Sequence, residues 1–182
     1  ALIVNGGSDQ DIGLAMYSKY NPGTPMYPRY STKTDTWVDP PGASGVKVKI
    51  VSPSTGNNET MTFQRAVALP VYVNVVVQRK GNLPSDIEQR IKDAIVEDST
   101  RKLFADDEVI GFNQGGYDIG EIVPVGRLYT PVNKVLGQYG DSYITTLTIG
   151  RSAGSQGVTP IQPGIAELAT FDPDNITVSV PL

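Results

Sequence analysis

The sequence predicts an α+β protein: a two-layer sandwich with two helices on one face of a small mixed or antiparallel sheet. An N-terminal helix, a proline-rich arm and a β-hairpin precede it. Residues 71–78 alternate in polarity as a strand does, and residues 85–104 place apolar side chains at helical spacing. A second helical segment and further alternating strands follow them. Because a sheet with one apolar face and helices with one apolar stripe bury each other, these elements predict two packed layers.

The predicted central strand carries four valines on one face, Val71, Val73, Val75 and Val77. After the break at residues 79–84, Ser85 and Glu88 have the spacing of a capping box, which predicts that the helix begins at Ser85. The apolar stripe of this helix comprises Ile87, Ile91, Ala94 and Ile95.

Acidic and basic residues four positions apart are predicted to stabilise the same helix, each pair by about 0.2–0.5 kcal/mol. The pairs are Asp86–Arg90, Glu88–Lys92, Glu97–Arg101 and Asp98–Lys102.

The sequence predicts an N-terminal subdomain of residues 1–70 and a sandwich domain of residues 71–182. A strand ending at Val4 and Gly6-Gly7 precede a helix from Ser8 to Tyr20, capped by Ser8 or Asp9. Its apolar side is predicted to comprise Ile12, Ala15, Met16 and Tyr20. Residues 46–51 and 60–64 alternate and predict a hairpin, with Met61 and Phe63 inward.

The second helix is predicted over 118–129, with Ile119, Ile122 and Val123 inward and with Pro124 and Gly126 bending or shortening it. Residues 132–136 read as a short strand and 142–150 as a longer one. Residues 165–171 are ambiguous. The last strand alternates from Ile176 to Val180 after a turn at 172–175.

Composition excludes several classes of activity. The chain contains no cysteine and no histidine, so it has no thiol nucleophile, no Ser-His-Asp triad and no imidazole ligand. The net charge of −4 and the lack of a basic block argue against nucleic-acid binding. We expect no signal peptide and no membrane span. The missing initiator Met leads us to expect a processing boundary at residue 1.

The arm from Asn21 to Gly45 is rich in proline and predicted to be irregular. It contains Tyr27, Tyr30 and Trp37, the only tryptophan. Tyrosine and tryptophan are enriched in protein interfaces, so these residues are candidate assembly contacts. The alternative is an arm held in place by its own aromatic side chains, and the sequence leaves both interpretations open.

Two other patterns carry weaker signals. Asp106, Asp107, Glu108 and Glu121 are the candidate carboxylates for a hydrolase or a metal site. Three consecutive acids rarely converge on one ion, so a solvated loop is favoured. Gly6-Gly7 before a helix has the order of a phosphate cradle but lacks its lysine, so a capped surface helix is favoured. We therefore predict no catalytic residue, no cofactor and no metal.

The order of motifs resembles the C-terminal region of the baseplate J-like family, structural wedge proteins of contractile-tailed bacteriophages and related particles. The resemblance covers nearly the whole chain. The segments that carry it are Gly6-Gly7-Ser8-Asp9-Gln10-Asp11-Ile12, Asn21-Pro22-Gly23-Thr24, Thr62-Phe63-Gln64-Arg65, Leu83-Pro84-Ser85-Asp86-Ile87 with Ile91-Lys92-Asp93-Ala94-Ile95, Arg127-Leu128-Tyr129-Thr130-Pro131-Val132 and Asn175-Ile176-Thr177-Val178.

The resemblance implies a non-enzymatic protein that acts through contacts with other baseplate or tail subunits, as a homo-oligomer or in a hetero-assembly. It implies a place in the virion tail, or in the bacterial cytoplasm during assembly. The alternative is a carbohydrate- or receptor-binding tail module that uses Trp37 and neighbouring tyrosines as stacking surfaces.

Overall fold

The structure, a computed structural model, describes residues 2–19, 45–52, 56–100 and 116–181, and the backbone of 29–31 and 36–38. The chain divides into two compact units, Ala1–Val67 and Ala68–Leu182. The helices are α1 (Asp9–Lys19), α2 (Ile87–Thr100) and α3 (Val125–Leu136). The strands are β1 (Ile3–Val4), β2 (Arg29–Ser31), β3 (Thr36–Val38), β4 (Gly45–Val51), β5 (Asn58–Arg65), β6 (Val67–Pro70), β7 (Tyr72–Gln78), β8 (Tyr143–Gly150), β9 (Glu167–Thr170) and β10 (Ile176–Ser179).

The first unit contains a three-stranded sheet in the order β1-β5-β4, with β1 parallel and β4 antiparallel to β5. The predicted hairpin is confirmed, and Met61 and Phe63 are buried as expected. Helix α1 packs on this face with Ile12, Met16 and Tyr17, whereas Ala15 is exposed. The backbone of α1 comes close to β4 at a glycine, since a Cβ on Gly13 would lie 3.0 Å from Val48 and from Ile50 side-chain atoms.

The arm is not wholly irregular, because β2 and β3 form an antiparallel ribbon within it. The other residues from 21 to 44, and residues 53–55 of the predicted hairpin tip, lie outside the described residues, whereas Gly45 begins β4.

The second unit confirms the predicted α+β layer. Its main sheet has the order β10-β7-β8, with β10 parallel and β8 antiparallel to β7. The four valines of the central strand are fully buried, as are Ile91 and Ile95 of α2 and Leu128 and Val132 of α3. A short two-stranded sheet of β6 and β9 adjoins this core and settles the ambiguous segment as a strand.

The prediction for residues 118–136 was wrong in its boundaries. The helix begins at Val125, one residue after Pro124, and continues through the segment predicted to be a strand. Proline fits best at a helix start, where its missing N–H needs no partner. Positions 125, 128, 132 and 136 are all buried and follow helical spacing, so the stripe overrides the tendency of Pro131 to break a helix. Ile122, predicted to face inward, is 45% exposed.

The capping box predicted at Ser85 is also absent from the described hydrogen bonds. Helix α2 begins at Ile87, and its first intrahelical bond runs from the Arg90 N–H to the Asp86 carbonyl. Of the two predicted ion pairs that the structure describes in full, Asp86–Arg90 forms at 2.9 Å and Glu88–Lys92 does not. Residues 101 and 102, which complete the other pairs, lie outside the described residues.

The α1 cap is confirmed. Ser8 Oγ accepts the Asp11 N–H at 3.1 Å and donates to the Asp11 carboxylate, while the Ser8 carbonyl accepts the Ile12 N–H. In the described part of the chain, no helix has the length and apolar character that a membrane span needs.

These two serines give a matched test of capping. We expect Ser8→Ala to destabilise α1 by about 1 kcal/mol, because the Asp11 N–H loses its acceptor. Ser85→Ala is the control, with an expected change within about 0.5 kcal/mol, as for surface positions without a cap. Amide hydrogen exchange of α1 and α2 measures both. A loss of 1 kcal/mol in α2 on Ser85→Ala would show that the capping box forms.

Candidate functional site

The predicted aromatic contacts are only partly described. Tyr27 lies outside the described residues. Tyr30 in β2 and Trp37 in β3 are directly opposite each other in the antiparallel register. The structure thus brings together the backbones of two of the three candidate residues.

The candidate carboxylates do not form a site in the described part of the chain. Asp106, Asp107 and Glu108 lie outside it. Glu121 accepts the Asp118 N–H at 2.6 Å and pairs with Arg127 at 3.3 Å. A carboxylate held in this way orders a turn. Among the described residues, no cluster of three or more acids, histidines or cysteines could hold a metal ion.

Two motif segments meet at Arg65, the last residue of β5. Its guanidinium donates to the carbonyls of Gly6 and Gly7 and pairs with the Asp9 carboxylate. It also lies 5.2 Å from the centre of the Phe63 ring. Both glycines have positive φ, 73° and 72°, a conformation that costs other residues energy. The Gly-Gly turn therefore presents carbonyl oxygens to a cation of the same chain, and this Arg65 cluster fixes the start of α1.

A second arginine, Arg127 in α3, connects three parts of the second unit. Its Nη1 lies 3.3 Å from Glu121, its Nε lies 3.8 Å from Asp98 of α2, and its Nη2 donates to the Gly116 carbonyl. The Gly116 N–H in turn donates to the Asp98 carbonyl at 2.7 Å. This Arg127 cluster joins the end of α2, the 116–121 turn and α3. The spacing in the sequence had instead predicted an ion pair between Asp98 and Lys102.

Tyr117 is the most perturbed group of this cluster. Its ring stacks on Phe171 with centres 5.4 Å apart and lies 4.2 Å from the Arg127 guanidinium carbon. The hydroxyl is buried and makes no hydrogen bond to the described residues. The pKa of Tyr117 is raised to about 12, chiefly by burial, which outweighs the lowering effect of Arg127; the Asp98 and Glu121 carboxylates contribute smaller upward shifts. A neutral phenol in this position packs as an aromatic side chain.

Exposed aliphatic side chains mark a different part of the second unit. Ile165 is 80% exposed, Val158 is 75% exposed and Ile122 is 45% exposed. They lie on loop 116–124 and loop 151–166. We refer to these three residues as the aliphatic loop residues. Single exposed aliphatic residues are common in folded proteins, and contact surfaces are formed where such residues adjoin one another.

The two loops are joined by backbone hydrogen bonds. Val123 and Ile161 exchange bonds of 2.9 and 3.0 Å, and the Gly120 N–H donates to the Glu167 carbonyl at 2.8 Å. A Cβ on Gly120 would lie 3.8 Å from the Ile165 Cα, so the backbones of the two loops are in contact there. The aliphatic side chains are therefore presented from connected backbone.

Loop 151–166 is also held against the edge of β8. Ile149 and Gly157 exchange two backbone hydrogen bonds, and Arg151 binds the Gln162 carbonyl and the Glu167 carboxylate. The loop passes so close to Gly150 that a Cβ there would lie 2.8 Å from the Ser155 carbonyl oxygen.

Comparison with other proteins gives no independent assignment: no known protein family matches the chain, and a search of curated proteins finds no relative.

We expect Arg65→Ala to destabilise the first unit by about 1–2 kcal/mol, because two carbonyls and a carboxylate lose a charged donor at a partly exposed site. Arg65→Lys is the matched variant. It keeps the charge but cannot span the three acceptors, so it should restore less than half of the loss. Denaturant unfolding with hydrogen exchange of α1 measures both. Full restoration by lysine would show that charge alone is responsible.

Tyr117 predicts a specific loss of stability in alkali. Its pKa is about 12 in the folded chain against 10 when unfolded, so above pH 10 the unfolded state loses the proton first. The stability from this group is complete below pH 10 and falls by roughly 2–3 kcal/mol as the pH rises to 12.

Tyr117→Phe should remove this additional slope without lowering stability at pH 7, since it deletes a buried hydroxyl that has no hydrogen-bond partner among the described residues. Chemical denaturation of both proteins at several pH values from 7 to 12 measures the difference. If the unfolding free energies of the two proteins changed with pH in the same way, the alkaline loss of stability could not be assigned to Tyr117.

Proposed function

We propose that the chain is a non-enzymatic structural component of a phage or prophage contractile-tail baseplate, a wedge-type subunit that acts through protein–protein contacts. The first support is the ordered set of motifs that resembles the baseplate J-like family. The second is composition, since a chain without histidine or cysteine lacks the residues of most common catalytic sites.

The described contacts are consistent with this interpretation, because motif segments remote in sequence are paired in space. Arg65 of one segment binds Gly6, Gly7 and Asp9 of another. In the second unit, the segment containing Ile176–Val178 forms the strand beside β7. The motifs thus comprise framework residues, as expected of a protein whose role is to present surfaces.

The observation that carries the proposal is the exposure of the aliphatic loop residues. Val158 and Ile165 keep at least three-quarters of their surface in solvent. Burying such side chains against another subunit contributes about 25 cal/mol per Å² of apolar surface. Because their loops are held by several backbone hydrogen bonds, little conformational entropy would be lost on docking. We propose that the partners are other baseplate or tail subunits in the virion.

Co-purification with the products of neighbouring genes tests this function. We expect the wild-type chain to be retained by a tail protein, and Val158→Ser combined with Ile165→Ser to weaken retention at least tenfold. Val51→Ser is the matched control, since Val51 is 61% exposed but lies in the first unit. Retention by no tail protein would contradict the function. Equal loss in the control would contradict the assignment of the surface.

A second candidate is carbohydrate or receptor binding through the arm. The observation in its favour is that Tyr30 and Trp37 are directly opposite each other in the β2–β3 register. Aromatic side chains commonly stack on sugars, so binding to a glycan array that is lost on Trp37→Ala, but not on Val51→Ser, would favour this function over assembly alone.

A further inference from the structure

Strand β10 forms one edge of the main sheet in the second unit. Within the part of the chain that the structure describes, no strand pairs with its outer side. Its sequence, Ile-Thr-Val-Ser, carries no charge, proline or glycine, and Thr177 and Ser179 are exposed. A regular uncharged edge of this kind is the usual template for addition of another strand.

The register shows which backbone groups of β10 face outward. The N–H and C=O groups of Ile149 in β8 both bond Gly157, so they point away from β7. Val73 of β7 lies opposite Ile149 in the antiparallel register. Val73 therefore directs its own N–H and C=O groups away from β8 and towards β10. The same holds for Val75, two residues later. In a parallel ladder Val75 then bonds the residues flanking its partner Val178, which are Thr177 and Ser179.

Ile176 and Val178 consequently direct their N–H and C=O groups away from β7. The Ile176 N–H is already used, because it donates to the Pro173 carbonyl. The Val178 N–H and carbonyl and the Ile176 carbonyl remain directed towards the outer edge. Polar groups at such an edge must be satisfied by water or by another strand.

The edges formed by β8 and β4 differ from this one. The outer side of β8 is occupied at Ile149 by Gly157, and the β7–β8 ladder shifts register between Val76 and Val77. In the first unit, edge strand β4 carries the exposed lysines Lys47 and Lys49. Bulges, loop cover and lysines are the devices by which proteins prevent edge pairing. None of the three is seen on the described residues of β10.

We propose that a second copy of this chain adds to the sheet through β10, antiparallel and about a two-fold axis at Val178. In this register Val178 faces Val178 of the second copy, and Thr177 faces Ser179 of the second copy. Both copies then place hydroxyl residues on one face and apolar residues on the other, as the pleat requires.

The same register also satisfies the hydrogen bonds. Val178 exchanges two bonds with its counterpart, and the Ile176 carbonyl accepts the N–H of Val180 across the axis on each side. A second copy is favoured as the occupant because the strand is complementary to itself. Its outward backbone groups are arranged symmetrically about Val178, and the paired residues 176–180 carry no charge that the two-fold axis would place against a like charge.

This proposal deepens the assembly role and rests on it for its biological meaning. A ladder of four-residue strands is short, so we expect a dimer that forms at high concentration and dissociates on dilution. Subunits of a particle assemble at high local concentration, where weak contacts of this kind are populated.

Sedimentation equilibrium of the whole chain over a wide concentration range tests the pairing. We expect wild type to dimerise and Thr177→Lys/Ser179→Lys to lose at least tenfold in association constant, because each lysine faces a lysine of the second copy. Thr177→Lys/Ser179→Glu is the matched control. It carries two charges at the same exposed positions but places each lysine opposite a glutamate, so it should dimerise at least as well as wild type.

Thermal unfolding should be similar for both variants, since the two substituted side chains are exposed. A wild-type chain that is monomeric at every concentration would overturn β10 pairing while leaving the co-purification test of the assembly function untouched. Dimerisation of the double-lysine variant at the wild-type level would also overturn it. Loss of the dimer in both variants would overturn the register centred on Val178.

Discussion

The second unit depends on one constraint, the burial of both the valine face and the backbone of β7. Val71, which directly precedes β7, and Val73, Val75 and Val77 within it have no exposed surface, and each contributes about 1.5–3 kcal/mol when fully buried. Strands on both sides satisfy the peptide groups of β7. Because α2 and α3 must cover the same valines, the positions of the surrounding elements follow from this strand.

The fold could be predicted where one periodicity was uninterrupted. The alternation from Val71 to Val77 predicts only a strand, and the spacing of Ile87, Ile91 and Ile95 predicts only a helix. The prediction failed at α3, because residues 118–129 were assigned to a helix and residues 132–136 to a strand, whereas Val125, Leu128, Val132 and Leu136 form one buried helical stripe. The free energy of burying that stripe outweighs the helix-breaking tendency of Pro131, which lies within the helix.

The contacts that organise the surfaces were less predictable. Arg65 lies more than fifty residues from the glycines whose carbonyls it binds, and Arg127 meets Asp98, which local spacing had paired with Lys102. Sequence spacing reports only partners within one helix or strand, so it carries no signal for such contacts. The exposure of Ile165 could not be predicted either, because the sequence pattern of a loop does not indicate whether an aliphatic residue in it is buried or exposed.

The parallel pairing of β7 with β10 also affects how the chain must fold during translation. Strand β10 is synthesised roughly a hundred residues after β7, which takes about 5–20 s at an elongation rate of about 5–20 residues per second. Throughout that interval β7 lacks one of its two neighbouring strands. Contacts between residues so distant in sequence also form slowly. The core of the nascent second unit therefore stays incomplete until its last strand has emerged.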